Sequence, residues 1–298
     1  MLVVGLGNST LTQSKTRCFM SRRKKIRAIA VLPTMFTLGN LVCGFFAIVV
    51  ASRIEKPDTI NVMREADPWN LMVSASLIFL AMVFDALDGH VARLSRTTSD
   101  FGGQLDSLCD LVTFGVAPAF LLVKMCPQFA LEHRVEVWMI AAAFAACVAL
   151  RLARYNVENE EEDDHMDFSG LPSPAGGGAV ASFAFMFYSL RGTSSTFKYA
   201  EHINKITETA LPFFALLVAL LMVSRIRYPH VANHLFRGQR SFAHVVGLIF
   251  ALIVVVFIRG YAAPILFTLF VISGPARLAW REVSRRGAPR TEEDAIFD

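Results

Sequence analysis

Residues 85 to 110 read DALDGHVARLSRTTSDFGGQLDSLCD, and this stretch decides how the rest of the chain is interpreted. Segments otherwise apolar enough for a lipid bilayer carry four carboxylates here: Asp85, Asp88, Asp106 and Asp110. One aspartate at the middle of a bilayer costs about 2.5 to 3.5 kcal/mol. Four of them need compensation, and a bound divalent cation is the compensation that carboxylates favour.

The spacing of the acids places each pair on one side of a helix. Asp85 and Asp88 are three residues apart. Asp106 and Asp110 are four apart, so both pairs have the one-turn spacing of a helix face. Two such helices facing each other would gather four oxygen ligands. Oxygen ligands favour Mg²⁺ or Mn²⁺, with Ca²⁺ also suitable, over zinc. Helix caps or surface ion pairs would not require this paired spacing.

The pattern from Asp85 to Asp110, D-x2-D-G-x2-A-R-x8-G-x3-D-x3-D, resembles the signature of the CDP-alcohol phosphatidyltransferases at every fixed position. In that family the motif spans two membrane helices and binds divalent metal and the CDP pyrophosphate. The resemblance implies that the four aspartates hold metal and that Asp110 also accepts the proton of the attacking hydroxyl. It implies that the following residues bind CDP, with the arginine meeting a phosphate: Gly89, Ala92, Arg93 and Gly102.

Composition indicates an integral membrane protein. Of 298 residues, 54% are hydrophobic and 18% charged, and the mean hydropathy is +0.47. The net charge of +4 does not indicate a nucleic-acid partner, because the basic residues cluster beside apolar segments. The five cysteines form no CxxC pair, so we expect neither a disulfide framework nor a zinc site.

Hydropathy predicts an all-α, polytopic transmembrane helix bundle of about eight spans. We place these spans at residues 32–50, 69–92, 102–123, 135–156, 171–190, 209–225, 242–258 and 261–279. The family resemblance implies a six-helix core plus two further helices. The expected division is a basic N-terminal segment, a family core, a loop with two C-terminal spans, and a tail: residues 1–31, 32–225, 226–280 and 281–298.

The distribution of basic residues predicts the orientation of the bundle. With eight spans, 20 of the 29 lysines and arginines fall on the side that holds both termini and the loop within the aspartate motif. Positive charge concentrates on the cytoplasmic side of membrane proteins. We therefore expect a multi-pass protein of the cytoplasmic membrane with both termini and the aspartates on the cytoplasmic side.

Three features outside the motif have more than one interpretation. Arg151 and Arg154, one turn apart near the same depth, are expected to bind the acceptor or a lipid phosphate, or to serve as positive-inside anchors. Pro118 either bends the third span or is tolerated there. The glycines at 176–178 allow close helix packing or a shaped loop over the site. Separately, the acidic run at 160–164 is interpreted as a solvated loop.

Further stretches resemble a bacterial and archaeal branch of the same family that uses serine. They are LPTMFTLGNLVCGFFAI, DSLCDLVTFGVAPA, RLARYN, FSGLPSPA and LMVSRIRYP, between about residue 32 and about residue 230. The resemblance implies CDP-diacylglycerol as donor, L-serine as acceptor, phosphatidylserine and CMP as products, membrane lipid as a partner and a possible homodimer. Two alternatives stay open: a glycerol 3-phosphate or inositol phosphate acceptor, or a non-enzymatic ion transporter.

Overall fold

The described part of the chain is helical apart from short connecting segments. A computed structural model describes residues 34–54, 68–95, 100–127, 133–160, 170–192, 199–226, 228 and 259–286, and no strand occurs among them. The predicted all-α class is therefore confirmed for these residues. The helices are α1 Thr34–Ser52, α2 Pro68–Ser95, α3 Asp100–Asp110, α4 Ala117–Met125, α5 Arg134–Glu160, α6 Ser173–Gly192, α7 Ala200–Val223 and α8 Ala262–Arg286.

Two short helical segments complete the architecture. Leu111–Val116 is π-helical and joins α3 to α4, so one continuous rod runs from Asp100 to Met125. A 3₁₀ turn, Arg259–Tyr261, leads into α8.

Six helices in the described part of the chain are long and apolar enough to cross a membrane, as a multi-pass membrane protein requires. They are Thr34–Ser52, Pro68–Val91, Phe101–Met125, Arg134–Val157, Ala200–Val223 and Ala262–Trp280. The predicted span at 171–190 is present as helix α6, which is rich in glycine and serine and is not among the six. The predicted span at 242–258 lies outside the described residues, so the count of about eight stays a prediction.

One boundary differs clearly from its prediction. The span expected at 209–225 begins at Ala200 and ends at Val223. The first turns of α7 carry polar residues that hydropathy excludes from a membrane segment. Two of them, Asn204 and Glu208, are nevertheless paired with Arg191 of α6, and this pairing lets the helix continue.

Helix α1 has its small and polar residues inside and its large apolar residues outside. Its buried stripe recurs every three or four residues and consists of Thr37, Asn40, Cys43, Gly44, Ala47 and Ala51. On the opposite face, Met35, Phe45 and Phe46 are more than half exposed. This arrangement suits a lipid environment, because small residues let helix backbones approach closely while large side chains face the lipid tails.

Helix α6 lies at the centre of the bundle and contacts α2, α4, α7, α8 and the π-helical segment. Three consecutive glycines make this possible, each against a different neighbour. An added Cβ would lie 2.6 Å from Met222 at Gly176, 2.8 Å from the Phe114 carbonyl oxygen at Gly177, and 2.8 Å from Phe267 at Gly178. The close-packing interpretation of this glycine run is therefore confirmed.

The chain that follows α7 is tied to α6 and α8. Gly170 adopts the left-handed φ of +95° and donates its N–H to the carbonyl of Ile226 at 2.9 Å. The Tyr228 hydroxyl donates to the carbonyl of Val271 in α8 at 2.9 Å. Burial raises the pKa of Tyr228 to about 12, so the phenol stays protonated and keeps donating.

Candidate active site

Three of the four predicted carboxylates converge. Asp85 of α2 and Asp106 and Asp110 of α3 each place an oxygen within 4.8 Å of the oxygens of the other two. The two helices bring them together because both pairs have one-turn spacing, as the sequence predicted. Asp110 is buried at 7% exposure, while Asp85 and Asp106 are half-buried.

Asp88 lies beside this group but outside it. It is 6% exposed, accepts a hydrogen bond from the Thr37 hydroxyl of α1, and interacts electrostatically with Asp85 and Asp106. The four acids therefore form one electrostatic cluster, of which three converge on a point and the fourth is held by a neighbouring helix.

Helix α1 also holds Asp110. The Asn40 side-chain amide donates to Asp110 Oδ1 at 2.9 Å, and the Thr113 hydroxyl donates to the Asn40 carbonyl at 3.2 Å. Gly44 lies directly against Thr113, where a Cβ would overlap its side chain. Sequence reasoning overlooked Thr37 and Asn40. Their signal was two polar residues in an apolar span, which normally face the bundle interior.

The π-helical segment directly follows Asp110. Its wider turn is visible where the N–H of Ala117 donates to the carbonyl of Val112, five residues back. Pro118 has no N–H for the Phe114 carbonyl, and that carbonyl lies against Gly177 of α6. Such π-helical turns often occur at functional sites. Here the turn lies between the acids and the tightly packed remainder of the rod.

Arg151 of α5 supplies positive charge at the site. Among the described side chains, it is the cation whose charge acts on Asp110. Its Nη1 donates to Ser173 Oγ at the start of α6, at 3.0 Å, whereas its Nε is buried without a hydrogen-bond partner. Arg154 lies one turn further along α5 and is also half-buried.

A second contact missed from the sequence joins α5 to α3. Asn156 and Ser107 are hydrogen-bonded, with the Asn156 amide donating to the Ser107 hydroxyl at 3.0 Å. Ser107 directly follows Asp106, so this contact fixes the turn of α3 that carries one of the converging acids. Asn156 ends the RLARYN stretch, but nothing local in that stretch predicts its partner.

The predicted nucleotide-binding residues border open space where the structure describes them. A Cβ added at Gly89 would meet no atom within 4 Å, and the same holds for Gly103 beside the predicted Gly102. Ala92 and Arg93 lie on the last turns of α2. The acids thus lie beside a volume that the described protein does not fill.

The converging carboxylates have the chemistry and the spacing of a cation site. Oxygens on opposite sides of one ion are about 4.2 Å apart for Mg²⁺ and about 4.6 to 5.2 Å apart for Ca²⁺. The separations of at most 4.8 Å among Asp85, Asp106 and Asp110 fit these values. The cluster carries more negative charge than Arg151 can balance. Bundle and site together define a multi-pass helical membrane protein with an acidic, cation-competent centre.

Comparison with known proteins agrees with this description. The sequence model of the CDP-alcohol phosphatidyltransferase family matches residues 30–224, which is more than half of the chain. The protein therefore belongs to the CDP-alcohol phosphatidyltransferase family.

Several characterised relatives have similar sequences. The CDP-diacylglycerol–serine O-phosphatidyltransferase of Methanocaldococcus jannaschii is 35% identical over 212 residues, covering 71% of this chain and 80% of that protein. The Helicobacter pylori protein of the same name is 30% identical over 210 residues, covering 69% and 74%. The archaetidylserine synthase of Methanothermobacter thermautotrophicus is 29% identical over 215 residues, covering 71% and 75%.

Proposed function

We propose that this protein transfers the phosphatidyl group of CDP-diacylglycerol to the hydroxyl of L-serine, giving phosphatidylserine and CMP. The convergence of Asp85, Asp106 and Asp110 beside Arg151 is the observation that carries the proposal. Relatives named for the serine reaction match about 70% of the chain, and the family match at residues 30–224 covers these four side chains.

In this proposal the four aspartates hold divalent metal, Mg²⁺ or Mn²⁺, with Ca²⁺ also suitable. The bound ion would neutralise the pyrophosphate and the charge that develops on the departing CMP. Gly89, Ala92, Arg93 and Gly102 line the CDP moiety. The open space at Gly89 is consistent with a ligand that approaches the helix backbone closely.

Asp110 accepts the proton of the attacking serine hydroxyl. The serine oxygen forms a bond to the phosphorus that carries the diacylglycerol, and the bond from that phosphorus to the CMP oxygen breaks. Asn40 keeps the Asp110 carboxylate in one orientation through its 2.9 Å hydrogen bond. A carboxylate beside metal is a weak base, so correct positioning of the hydroxyl supplies much of the rate.

Arg151 and Arg154 face the acceptor or the lipid phosphate. Arg151 has the stronger support, because its charge acts on Asp110 and its Nε lacks a partner among the described residues. A buried donor without a partner costs about 1 to 3 kcal/mol, which a bound acceptor would recover. Acceptors that carry phosphate would favour a denser basic pocket than these two arginines provide.

The site faces the cytoplasm in this proposal, where a soluble amino acid and a nucleotide-bearing lipid both reach it. The support is the concentration of lysine and arginine on the side of the bundle that carries the acids. Labelling of single cysteines in intact cells and in inverted vesicles would test the orientation. A cysteine at Thr97, in the loop of the aspartate motif that the charge pattern predicts to be cytoplasmic, should react only in inverted vesicles.

The reaction is tested with purified protein in lipid vesicles that contain CDP-diacylglycerol. CMP release is measured with L-serine, glycerol 3-phosphate and inositol phosphate in the presence of Mg²⁺ or Mn²⁺. We expect release with L-serine and little with the other two. CMP release with a phosphate-bearing alcohol but not with L-serine would show that this alcohol is the acceptor. No CMP release with any alcohol would contradict phosphatidyl transfer altogether.

A further inference from the structure

Two polar atoms beside Asp110 are buried without a partner. Within the described part of the chain, three side-chain atoms have this status: Asn40 Oδ1, Arg151 Nε and Arg191 Nη1. The guanidinium of Arg191 already makes three hydrogen bonds elsewhere in the bundle. Asn40 and Arg151 are the two whose side chains act on Asp110. Most buried polar groups in proteins are hydrogen-bonded, so these two atoms indicate missing partners.

The two atoms have opposite hydrogen-bonding character. The side-chain nitrogen of Asn40 donates to Asp110 Oδ1, in agreement with the ionised carboxylate that the proposed base requires, and Asn40 Oδ1 is left as an acceptor. Arg151 uses Nη1 to donate to Ser173, and its Nε–H is left as a donor. The site therefore offers one acceptor and one donor, on two different helices that both reach Asp110.

We propose that Asn40 and Arg151 recognise the ammonium and carboxylate groups on the α-carbon of the acceptor. The α-ammonium donates to Asn40 Oδ1, the Arg151 Nε–H donates to the α-carboxylate, and the side-chain hydroxyl faces Asp110. This inference rests on the proposed function, in which the acceptor is L-serine. Glycerol 3-phosphate and inositol phosphate carry no ammonium, so only a neutral hydroxyl could donate to the buried Asn40 oxygen.

The surroundings of both residues suit selective recognition. Asn40 is fully buried, and its side-chain amide is held toward the site by its hydrogen bond to Asp110. Arg151 is held by Ser173 through Nη1, which leaves Nε as the free donor of the guanidinium among the described residues. A site built to hydrogen-bond a charged group rejects an analogue that lacks the group, because a buried partner is then left unpaired.

Two substrate analogues test the inference on the wild-type protein. Ethanolamine retains the hydroxyl and the ammonium without the carboxylate, and 3-hydroxypropanoate retains the hydroxyl and the carboxylate without the ammonium. CMP release in CDP-diacylglycerol vesicles should show kcat/KM lower by about 10- to 150-fold for each analogue than for L-serine, the range of one hydrogen bond to a charged group. If either analogue reacts as well as L-serine, the inference is wrong, whatever the variants do.

Two variants assign each recognition to its residue. Arg151→Met should reduce the preference for L-serine over ethanolamine at least tenfold and leave the preference over 3-hydroxypropanoate unchanged. Asn40→Leu should do the reverse. If Asn40 acts only by orienting Asp110, its variant lowers kcat for all acceptors equally and both preferences stay at their wild-type values, which overturns the inference. A wild-type protein that does not use L-serine contradicts the proposed function itself, so the two failures are distinguishable.

Discussion

Among the described side chains, the two ends of the bundle each bury charge, but only one end balances it. At the end away from the aspartates, Arg191 of α6 and Glu208 of α7 form an ion pair at 2.7 Å with both side chains at most 3% exposed. Asn204 donates to Glu208 at 2.9 Å, and Arg191 also donates to the Met125 carbonyl at 3.1 Å. We call these residues the paired cluster. The rod carries Asp110 and Met125, and at about 1.5 Å of rise per residue these two residues are about 20 Å apart along it.

The acidic cluster of Asp85, Asp88, Asp106 and Asp110 differs in charge and in packing. Its acids repel one another, with Arg151 near Asp110 as a described counter-charge, and open space adjoins it at Gly89. The paired cluster is neutral, with the guanidinium also stacked 4.5 Å from the Phe187 ring. A balanced buried pair joins helices, whereas an unbalanced cluster needs a ligand. This difference leads to four predictions.

The largest effect should come from removing divalent metal. A chelator should reduce CMP release to background, and Mg²⁺ or Mn²⁺ should restore it, because the acidic cluster needs a cation for the reaction. Added Mg²⁺ should also raise the melting temperature, since it binds the folded state alone. The Glu208→Gln variant should respond in the same way as the wild type. Full activity in chelator would remove the metal from the mechanism.

Replacing the proposed base should come next. Asp110→Asn should lower kcat at least about 100-fold, the lower range for loss of a general base. The fold should persist, because the change removes one of several repelling charges and leaves an amide that Asn40 can still contact. CMP release and thermal unfolding are measured on the same preparation. Turnover like that of the wild type would remove Asp110 from the reaction.

Breaking the paired cluster should affect stability but not chemistry. Glu208→Gln should lower the free energy of unfolding by about 3 to 5 kcal/mol, because it leaves the buried Arg191 without its counter-charge. The double variant with Arg191→Met should recover part of that loss. At low temperature, kcat per folded molecule should equal the wild-type value. A specific loss of kcat in either variant would contradict a purely structural role.

The smallest effects should come from alanine substitutions at two glycines, Gly260 and Gly89, at opposite ends of the bundle, and the two should differ in sign. Gly260→Ala should destabilise the protein, because its Cβ would overlap the Phe185 carbonyl of α6. The Cβ of Gly89→Ala meets no atom of the described residues within 4 Å, so this change should stabilise α2 by about 0.5 to 1 kcal/mol while raising the KM for CDP-diacylglycerol. Thermal unfolding and CMP release are compared for both. An unchanged KM in Gly89→Ala would mean that no ligand fills the space there.

The sequence was sufficient where the controlling interaction is local. The pairs Asp85 with Asp88 and Asp106 with Asp110 share helix faces because of their own spacing, and the structure places them on α2 and α3 as predicted. The close packing at Gly177 also followed from residue size. The four cysteines in the described residues, Cys43, Cys109, Cys126 and Cys147, are free.

Contacts between distant residues could not be predicted in this way. Thr37 and Asn40 reach acids that lie 51 and 70 positions further along the chain, and no local pattern names those partners. The predicted spans stop at residue 190 and start again at residue 209, so Arg191 and Glu208 fell just outside them, where charges normally meet water. Their mutual pairing removes that need and extends α7 to Ala200.

The Tyr228 hydroxyl fastens α8 to the bundle from beyond the point at which the family match stops, at residue 224. A recombinant fragment that ends with the matched segment would lack α8. Gly178 of α6 would then lose its contact with Phe267, and this side of the central helix would be exposed. A shortened version of this protein should therefore retain α8, even though the family match ends before that helix.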